Sequence, residues 1–382
     1  MNFNLTEDQH AFVHTARDFA AYELAPHTAR WDAEHHFPID VIRRAGELGF
    51  CGIYSATECG GLGLSRLDAA LIFEQLSQGC TATTAYLTIH NMCTWMVTSF
   101  GNAEQKTEFG ENLTSGKWLA SYCLTEAGAG SDAASLKTRA ERSGDDYVLN
   151  GSKAFISGAG ATDMLVVMAR TADQGAKGIS AFIVPAGTPG VSVGKNEEKM
   201  GWNAQPTRSI TFDNARIPAR YRIGLEGEGF TFAMKGLDGG RLNIASCSLG
   251  TAQAALQAAH RYLQERQQFG KALATFQALQ FRLADMATEL QAARLMVYHA
   301  ASRLDAADSD ATLHCAMAKR FATDACFSVC NDALQLHGGY GYLRDFPLER
   351  MVRDTRVHQI LEGTNEIMRL IAARKLLEKD SL

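Results

Sequence analysis

Three short segments of this 382-residue chain combine glycines with side chains that could do chemistry. They cover residues 122–132, 335–341 and 358–366. In the last segment Glu362 precedes Gly363, and a carboxylate there could act as a base because glycine lets a substrate approach the backbone closely. In the middle segment, His337 could suggest acid–base chemistry. Each residue alone has an ordinary explanation, since a glutamate in a polar turn is usually a helix cap or a solvated side chain.

The first segment contains a run, Gly128-Ala-Gly130-Ser-Asp-Ala133, that matches the glycine pattern of dinucleotide-binding folds. That pattern needs a helix immediately after it, packed on a parallel sheet. Here a polar stretch and then short strand-like runs follow instead. The sequence therefore argues against a doubly wound nucleotide-binding fold.

Taken together, the three segments resemble the signatures of the acyl-CoA dehydrogenase family. Residues 122–132 resemble its flavin-binding signature, residues 335–341 its second signature and residues 358–366 its catalytic segment, and they occur in the family's order and spacing. Residues 200–208 and 236–250 are similar to a branched-chain member of the family. The resemblance implies an FAD enzyme that oxidises the Cα–Cβ bond of an acyl-CoA thioester.

The resemblance also implies which residue removes the α-proton. Glu362 matches the family's base, and a base in a desolvated pocket should have a raised pKa. The thioester oxygen would be polarised by the Glu362 amide and a flavin hydroxyl, as in an oxyanion hole. Some relatives carry the glutamate in an earlier Asp-x-Glu-Arg segment, which here reads Asp238-Gly-Gly240-Arg241. Only one of the two positions has a carboxylate, and the glycines leave room for a branched acyl chain.

Binding residues are carried over position by position. The residues implied to contact FAD are Tyr122, Cys123, Leu124, Thr125, Gly130, Ser131, Phe155, Ile156, Ser157, Arg266, Phe276, Gln277, Gln335, Leu336, His337, Gly338, Gly339, Thr364, Asn365 and Glu366. Those implied to contact the CoA substrate are Ser131, Asp238, Gly239, Gly240, Arg241 and Arg374. Phe155 stands where many relatives have tryptophan, and His337 is expected to have a structural role. In the family, Arg266, Phe276, Gln277 and residues 335–339 act from a neighbouring subunit, which predicts a homotetramer.

The expected reaction is the conversion of isobutyryl-CoA to methacrylyl-CoA, a step of valine breakdown, with an electron-transfer flavoprotein as acceptor. A substrate of 2-methylbutyryl-CoA or a short straight-chain acyl-CoA is the nearest alternative, because a pocket discriminates one methylene by only ~1–3 kcal/mol. A flavin oxidase or monooxygenase of the same fold, which would react with oxygen, is a second enzyme class. A silent acyl-CoA or flavin-binding protein is a third possibility, although such a protein would have no reason to keep Glu362.

Composition excludes several other classes of function. The chain has 37 basic and 42 acidic residues and a net charge of −5, which disfavours a nucleic-acid binder. Its nine cysteines lack metal-binding spacing, so buried reduced thiols and no metal site are expected. Residues 1–5 resemble no signal peptide, which favours the cytoplasm. Residues 75–103 carry no charge but many polar groups, which favours a buried helix over a membrane span.

The elements that must position these residues follow the order helices, strands, helices. Four of the seven prolines lie within residues 185–218, where short β-rich runs occur, and the tracts on either side can be helical. Asn150-Gly151 between two such runs predicts a hairpin turn. The expected fold is mainly α with a central β module, as in acyl-CoA dehydrogenases. It would comprise an N-terminal helical domain (1–118), a β-barrel-like middle domain (119–228) and a C-terminal four-helix bundle (229–382).

Overall fold

The computed structural model describes residues 4–378, so part of the 1–5 segment lies outside the described residues. The first part of the chain is helical. Helices α1 to α6 span Glu7–Phe19, Thr28–Glu34, Ile39–Glu47, Arg66–Gly79, Thr81–Phe100 and Ala103–Thr114. The Thr6-Glu-Asp-Gln9 sequence is typical of a capping box, and the structure forms one at the start of α1: the Thr6 hydroxyl accepts from the Gln9 amide, and the Gln9 side chain accepts from the Thr6 amide.

Helix α5 accounts for most of the uncharged stretch at 75–103, and it is almost wholly buried. Its polar groups have protein partners: the Asn91 side-chain amide donates to the carbonyls of Phe50 and Leu87 at 2.8 and 2.9 Å. Among residues 4–378, the helices are each too short or too polar to cross a membrane. The prediction of a buried helix is confirmed.

The middle of the chain forms one mixed sheet. Strands β1 to β8 span Ala120–Cys123, Arg139–Ser143, Asp146–Ser157, Met164–Arg170, Ile179–Pro185, Val191–Asn196, Thr207–Pro218 and Arg222–Ile223. Their order is β6-β7-β3-β2-β4-β5-β8, with β1 parallel to β4. Alternate residues of β4 enter different cores: Val166 packs with the helices, whereas Val167 packs with β3 and β7.

The predicted hairpin at Asn150-Gly151 is wrong. Strand β3 runs straight through both residues, and the hairpin turn lies earlier, at Gly144-Asp145, where Ser143 pairs with Asp146. Asn150-Gly151 instead forms a bulge against β7. A methyl group on Gly151 would lie 2.7 Å from the Thr138 Cα atom, and its φ is +140°. The glycine is therefore needed for a close chain approach within the sheet.

The last part of the chain is again helical, apart from a small hairpin of β9 (Gln267–Gln268) and β10 (Lys271–Ala272). Helices α7 to α11 span Gly229–Glu265, Gln277–Asp305, Ala311–Leu336, Leu348–Arg356 and Asn365–Leu377. A shared core joins α7, α8 and α9. It includes the apolar residues that recur at steps of three and four from Leu279 to Leu304, a spacing typical of one helix face. The nine cysteines are unpaired and buried, as expected.

Candidate active site

Glu362 lies on the turn between a short 3₁₀ segment, Val357–Gln359, and α11. Its backbone has φ +56° and that of Gly363 has φ +91°, so two consecutive residues adopt the left-handed conformation. The turn points the carboxylate at Gly240 in the middle of α7: a methyl group on Gly240 would lie 2.5 Å from Oε2 of Glu362. The two family positions for a catalytic glutamate therefore lie directly against each other.

The carboxylate of Glu362 lies in a protected environment. The residue as a whole is partly exposed, but its Oε2 is shut off from solvent and has no hydrogen-bond partner among the described residues. Burial raises the pKa of Glu362 from 4.5 to about 7, against the opposing charges of Arg241 and Lys319. The raised pKa expected from the sequence is confirmed, and it gives the group the proton affinity of a base working near neutral pH.

Because its pKa is raised in the folded state, Glu362 lowers the free energy of unfolding at high pH. A variant without the carboxylate should reveal this effect. The folded protein keeps the Glu362 proton up to about pH 7, whereas the unfolded chain loses it near 4.5. Stability from this group is thus fully present below pH 4.5 and is lost as the pH rises through 7. We expect Glu362→Gln to unfold at nearly the same temperature as the wild type at pH 4.5, and to be more stable by about 3 kcal/mol at pH 8. Thermal unfolding at both pH values tests this, and a difference independent of pH would contradict it.

The Asp-Gly-Gly-Arg run on α7 lies beside the Glu362 carboxylate. Arg241 is buried and pairs with Asp238 at 2.5 Å, and Thr312 on α9 donates to the other Asp238 oxygen at 2.7 Å. A methyl group on Gly239 would meet the Arg66 guanidinium. Arg374 lies on an exposed position about 14 Å along α11 from the helix start, and the neighbouring Lys375 is within electrostatic reach of Asp238.

A second face of the site comes from the sheet. The predicted contacts at residues 122–125 and 155–157 lie side by side, because the Ala154 amide donates to the Thr125 carbonyl at 2.9 Å. Ile156 is buried, whereas Phe155 has φ +59° and exposes 67% of its surface. The Tyr122 hydroxyl is buried with no hydrogen-bond partner among the described residues. Burial and the nearby Glu362 charge raise its pKa, which places this tyrosine at the same site.

A buried ion pair lies next to this face of the site. Lys153 on β3 is fully buried and pairs with Glu126 at 2.8 Å while also donating to the Leu124 carbonyl at 3.0 Å. Glu126 in turn accepts from the amides of Lys137 and Thr138. The loop after Glu126 is open: a methyl group on Gly130 would meet no atom within 4 Å, and Ser131 is exposed.

Other predicted FAD contacts form a separate cluster. Arg266, at the end of α7, and residues 335–339 line a cleft of about 400 Å³. Phe276 and Gln277 follow the hairpin next to it, and the Phe276 ring contacts that of Phe269. His337 stacks on Tyr262 and its Nδ1 lies 2.8 Å from the Ala333 carbonyl, in line with a structural role. This cluster begins about 24 Å along α9 from Lys319, which contacts Gly363.

Thr364, Asn365 and Glu366 begin α11 on the Glu362 side. The Thr364 hydroxyl accepts from the Ile367 amide and caps the helix. Asn365 is buried and donates to Asp324 and Thr323 on α9, whereas Glu366 is exposed. The turn that carries Glu362 is therefore fastened to α9 at its far end.

Several residues of the site were missed from the sequence. Lys319 donates to the Gly363 carbonyl at 2.7 Å. His358 lies 2.7 Å from the Ser248 hydroxyl and accepts from the Trp202 indole at 3.2 Å. Met92 on α5 borders the space beside Gly240. Lys319 carried a usable signal, because it interrupts the apolar stripe of α9, and His358 begins the 358–366 segment.

Comparison with known proteins places this architecture. Profiles described as the N-terminal, middle and C-terminal domains of acyl-CoA dehydrogenase match residues 6–117, 121–215 and 227–377. The chain therefore belongs to the acyl-CoA dehydrogenase family, whose members are FAD-dependent oxidoreductases acting on CH–CH groups.

Individual relatives cover nearly the whole chain. It is 55% identical to the mitochondrial isobutyryl-CoA dehydrogenase of Bos taurus, over 99% of this chain and 91% of that protein. The structure of butyryl-CoA dehydrogenase from Megasphaera elsdenii superposes with a TM-score of 0.96 at 39% identity, covering 99% and 100% of the two chains. An FAD complex of PigA gives 0.95 at 32% identity, covering 98% and 99%.

The residues on the sheet side fit an FAD ring system. The exposed Phe155 ring offers a stacking surface, and the Tyr122 hydroxyl is a buried polar atom that lacks a partner within the described part of the chain. The open loop at Gly130 leaves space for a ligand against the backbone. By contrast, residues 4–378 contain no cluster of His, Cys, Asp or Glu placed to hold a metal ion.

Proposed function

We propose that this acyl-CoA dehydrogenase converts isobutyryl-CoA to methacrylyl-CoA, with Glu362 as the base. The observation that carries the proposal is the Glu362 carboxylate itself. Its Oε2 is buried and without a hydrogen-bond partner among the described residues, its pKa lies at about 7, and it faces Gly240. A carboxylate held in this way is free to take a proton from a bound substrate.

The chain's own residues supply the proton chemistry and the positioning. Glu362 Oε2 takes the α-proton as the new Cα=Cβ bond forms. The chemistry that FAD would supply, when bound, is an acceptor for the β-hydrogen and its electron pair. Burial keeps water from the carboxylate, and Arg241, held by Asp238, favours its ionised form at the start of the reaction. Residues 122–125 and 155–157, with Gly130, Ser131 and 364–366, would hold FAD.

The two glycines of α7 beside Glu362, Gly239 and Gly240, support a substrate branched at Cα. Gly240 faces Glu362, so the α-carbon must come close to this glycine. Isobutyryl-CoA carries a methyl branch on that same carbon. The relative from Bos taurus, with 55% identity, is itself named an isobutyryl-CoA dehydrogenase. The proposed CoA contacts are Ser131, Asp238, Gly239, Gly240, Arg241 and Arg374.

A panel of acyl-CoA thioesters tests the substrate. We expect kcat/KM with an artificial electron acceptor to be highest for isobutyryl-CoA, and lower for 2-methylbutyryl-CoA and butyryl-CoA by about 10- to 100-fold. A preference for butyryl-CoA would contradict the assignment. Rapid reoxidation of the reduced enzyme in air, without a protein acceptor, would indicate an oxidase instead.

The assembly, acceptor and location belong to the same proposal. Arg266, Phe276, Gln277 and residues 335–339 lie away from Glu362, which supports a homotetramer in which this cluster completes a neighbour's FAD site. An electron-transfer flavoprotein is the proposed acceptor. Nine unpaired cysteines fit a reducing compartment, for which we propose the cytoplasm. The domain limits 1–118, 119–228 and 229–382 are likewise proposed.

A further inference from the structure

Lys319 is a buried cation next to the turn that carries Glu362. It lies on α9 with none of its surface exposed, on the face of the helix that packs into the bundle. Its ammonium donates to the Gly363 carbonyl at 2.7 Å and to the Asn365 side-chain oxygen at 3.0 Å. Both acceptors are neutral. Burying a lysine charge against neutral acceptors costs free energy of folding. Packing alone therefore does not explain a lysine at this position.

The turn that Lys319 holds is an unfavourable one. Glu362 and Gly363 both have positive φ, and a residue with a side chain rarely adopts this conformation. The bond to the Gly363 carbonyl fixes the peptide group directly after Glu362. Asn365 extends the attachment, since its side-chain amide donates to Asp324 at 2.7 Å and to Thr323 at 2.9 Å. The contact with α9 therefore opposes relaxation of this turn.

Lys319 also acts on Glu362 through its charge. The titratable and charged groups that face it are Glu362, Glu366, Asp324, Arg241 and His358. Burial lowers the pKa of Lys319 to about 8, so most of it is protonated at pH 7. Arg241 and Lys319 both lower the pKa of Glu362, but Arg241 is already paired with Asp238. The ammonium does not hydrogen-bond to the Glu362 carboxylate, which stays available for a proton.

We propose that Lys319 is a positioning residue for the base: it locks the turn that presents Glu362 to the substrate, and its charge favours the ionised form of that carboxylate. This inference rests on the proposed function of Glu362. It assigns a catalytic consequence to a residue that lies behind the turn and touches neither substrate nor FAD.

Three substitutions separate the two roles of Lys319. Lys319→Met removes the donor and the charge, Lys319→Gln keeps a donor without the charge, and Lys319→Arg keeps both. We expect Lys319→Met to lower kcat about 10- to 100-fold with KM changed less than about threefold. The acid limb of its pH profile of kcat/KM should move up by about one pH unit, because Glu362 loses a nearby positive charge. Lys319→Gln should show the same shift with a smaller loss of kcat, and Lys319→Arg should keep the wild-type limb.

A partly buried cation elsewhere in the bundle provides the control. Arg294 on α8 pairs with Glu74 at 2.8 Å. We expect Arg294→Met to lower the unfolding temperature while leaving the acid limb in place, so a general loss of stability can be told from an effect on Glu362.

The outcomes are distinct. Wild-type holoenzyme that fails to oxidise any acyl-CoA of the panel would contradict the proposed function itself. An active wild type with superposed acid limbs for Lys319→Met and Lys319→Gln would overturn the role of Lys319 alone. Should Lys319→Met not fold, the acid limbs of Lys319→Gln and Lys319→Arg are compared instead. An upward shift in Lys319→Gln alone supports the role of Lys319, and superposed limbs overturn it. Failure of all three variants to fold with FAD would assign Lys319 to folding and overturn the inference.

Discussion

We expect Glu362→Gln to bind FAD normally and to lose most reduction of the flavin by acyl-CoA, with a rate about 10²- to 10⁴-fold below that of the wild type. Glutamine has nearly the same shape as glutamate, so the turn and its contacts with Lys319 should persist. Its amide has no useful affinity for the weakly acidic α-proton, and the structure places Gly240, not a second carboxylate, on the opposite side.

The measurement is the loss of flavin absorbance after mixing with isobutyryl-CoA in the absence of oxygen. FAD content per subunit serves as the internal control, because a variant that has lost its cofactor would also show no absorbance change on adding substrate. Glu47→Gln, at the exposed end of α3 and outside the predicted site residues, is a matched carboxylate substitution that should leave flavin reduction unchanged. Normal bleaching in Glu362→Gln would mean that another group removes the proton.

The sequence was most informative where the determinants are local. The Thr6 capping box, the strand β4 and the apolar stripe of α8 each follow from residues close together in the chain. The wrong prediction of a hairpin turn at Asn150-Gly151 also arose because it used local sequence alone. The dipeptide does favour unusual backbone geometry, but whether it forms a turn or a bulge depends on Thr138 and β7, which the local pattern does not contain.

In the candidate site, too, only the features set by residues close together in the chain were predictable. The motif around Glu362 identified the base, and the neighbouring Asp-Gly-Gly-Arg run suggested open space, but neither predicts that Gly240 and Glu362 face each other. Their contact depends on how α7 packs against the turn before α11. Lys319 illustrates the remaining gap. Its place in an apolar stripe marks it as unusual, yet its partner, a backbone carbonyl, has no signature in the sequence.

A methyl group at position 240 should impair the reaction almost as clearly as loss of the base. In Gly240→Ala the new Cβ would lie 2.5 Å from Oε2 and 3.1 Å from Cδ of Glu362, and 3.5 Å from the Met92 sulfur. The first two distances are shorter than van der Waals contact allows, so the carboxylate must move. A misplacement of this size costs about 100-fold in kcat when a base must meet a specific proton. The fold should not suffer, since alanine is the better helix former at a helix interior.

Gly236→Ala, one turn earlier on α7, is the matched control. Its methyl group would meet the Met96 terminal methyl at 2.2 Å, and a flexible thioether can give way where a turn held by Lys319 cannot. We therefore expect Gly236→Ala to change kcat less than about threefold. Gly240→Ala should also penalise isobutyryl-CoA more than butyryl-CoA, because the added methyl group competes with the α-branch for the space beside Glu362. Equal losses for both substrates would separate the role of Gly240 in placing the base from any role in choosing the acyl chain. Unchanged kinetics would mean that the carboxylate does not react from the position it occupies here.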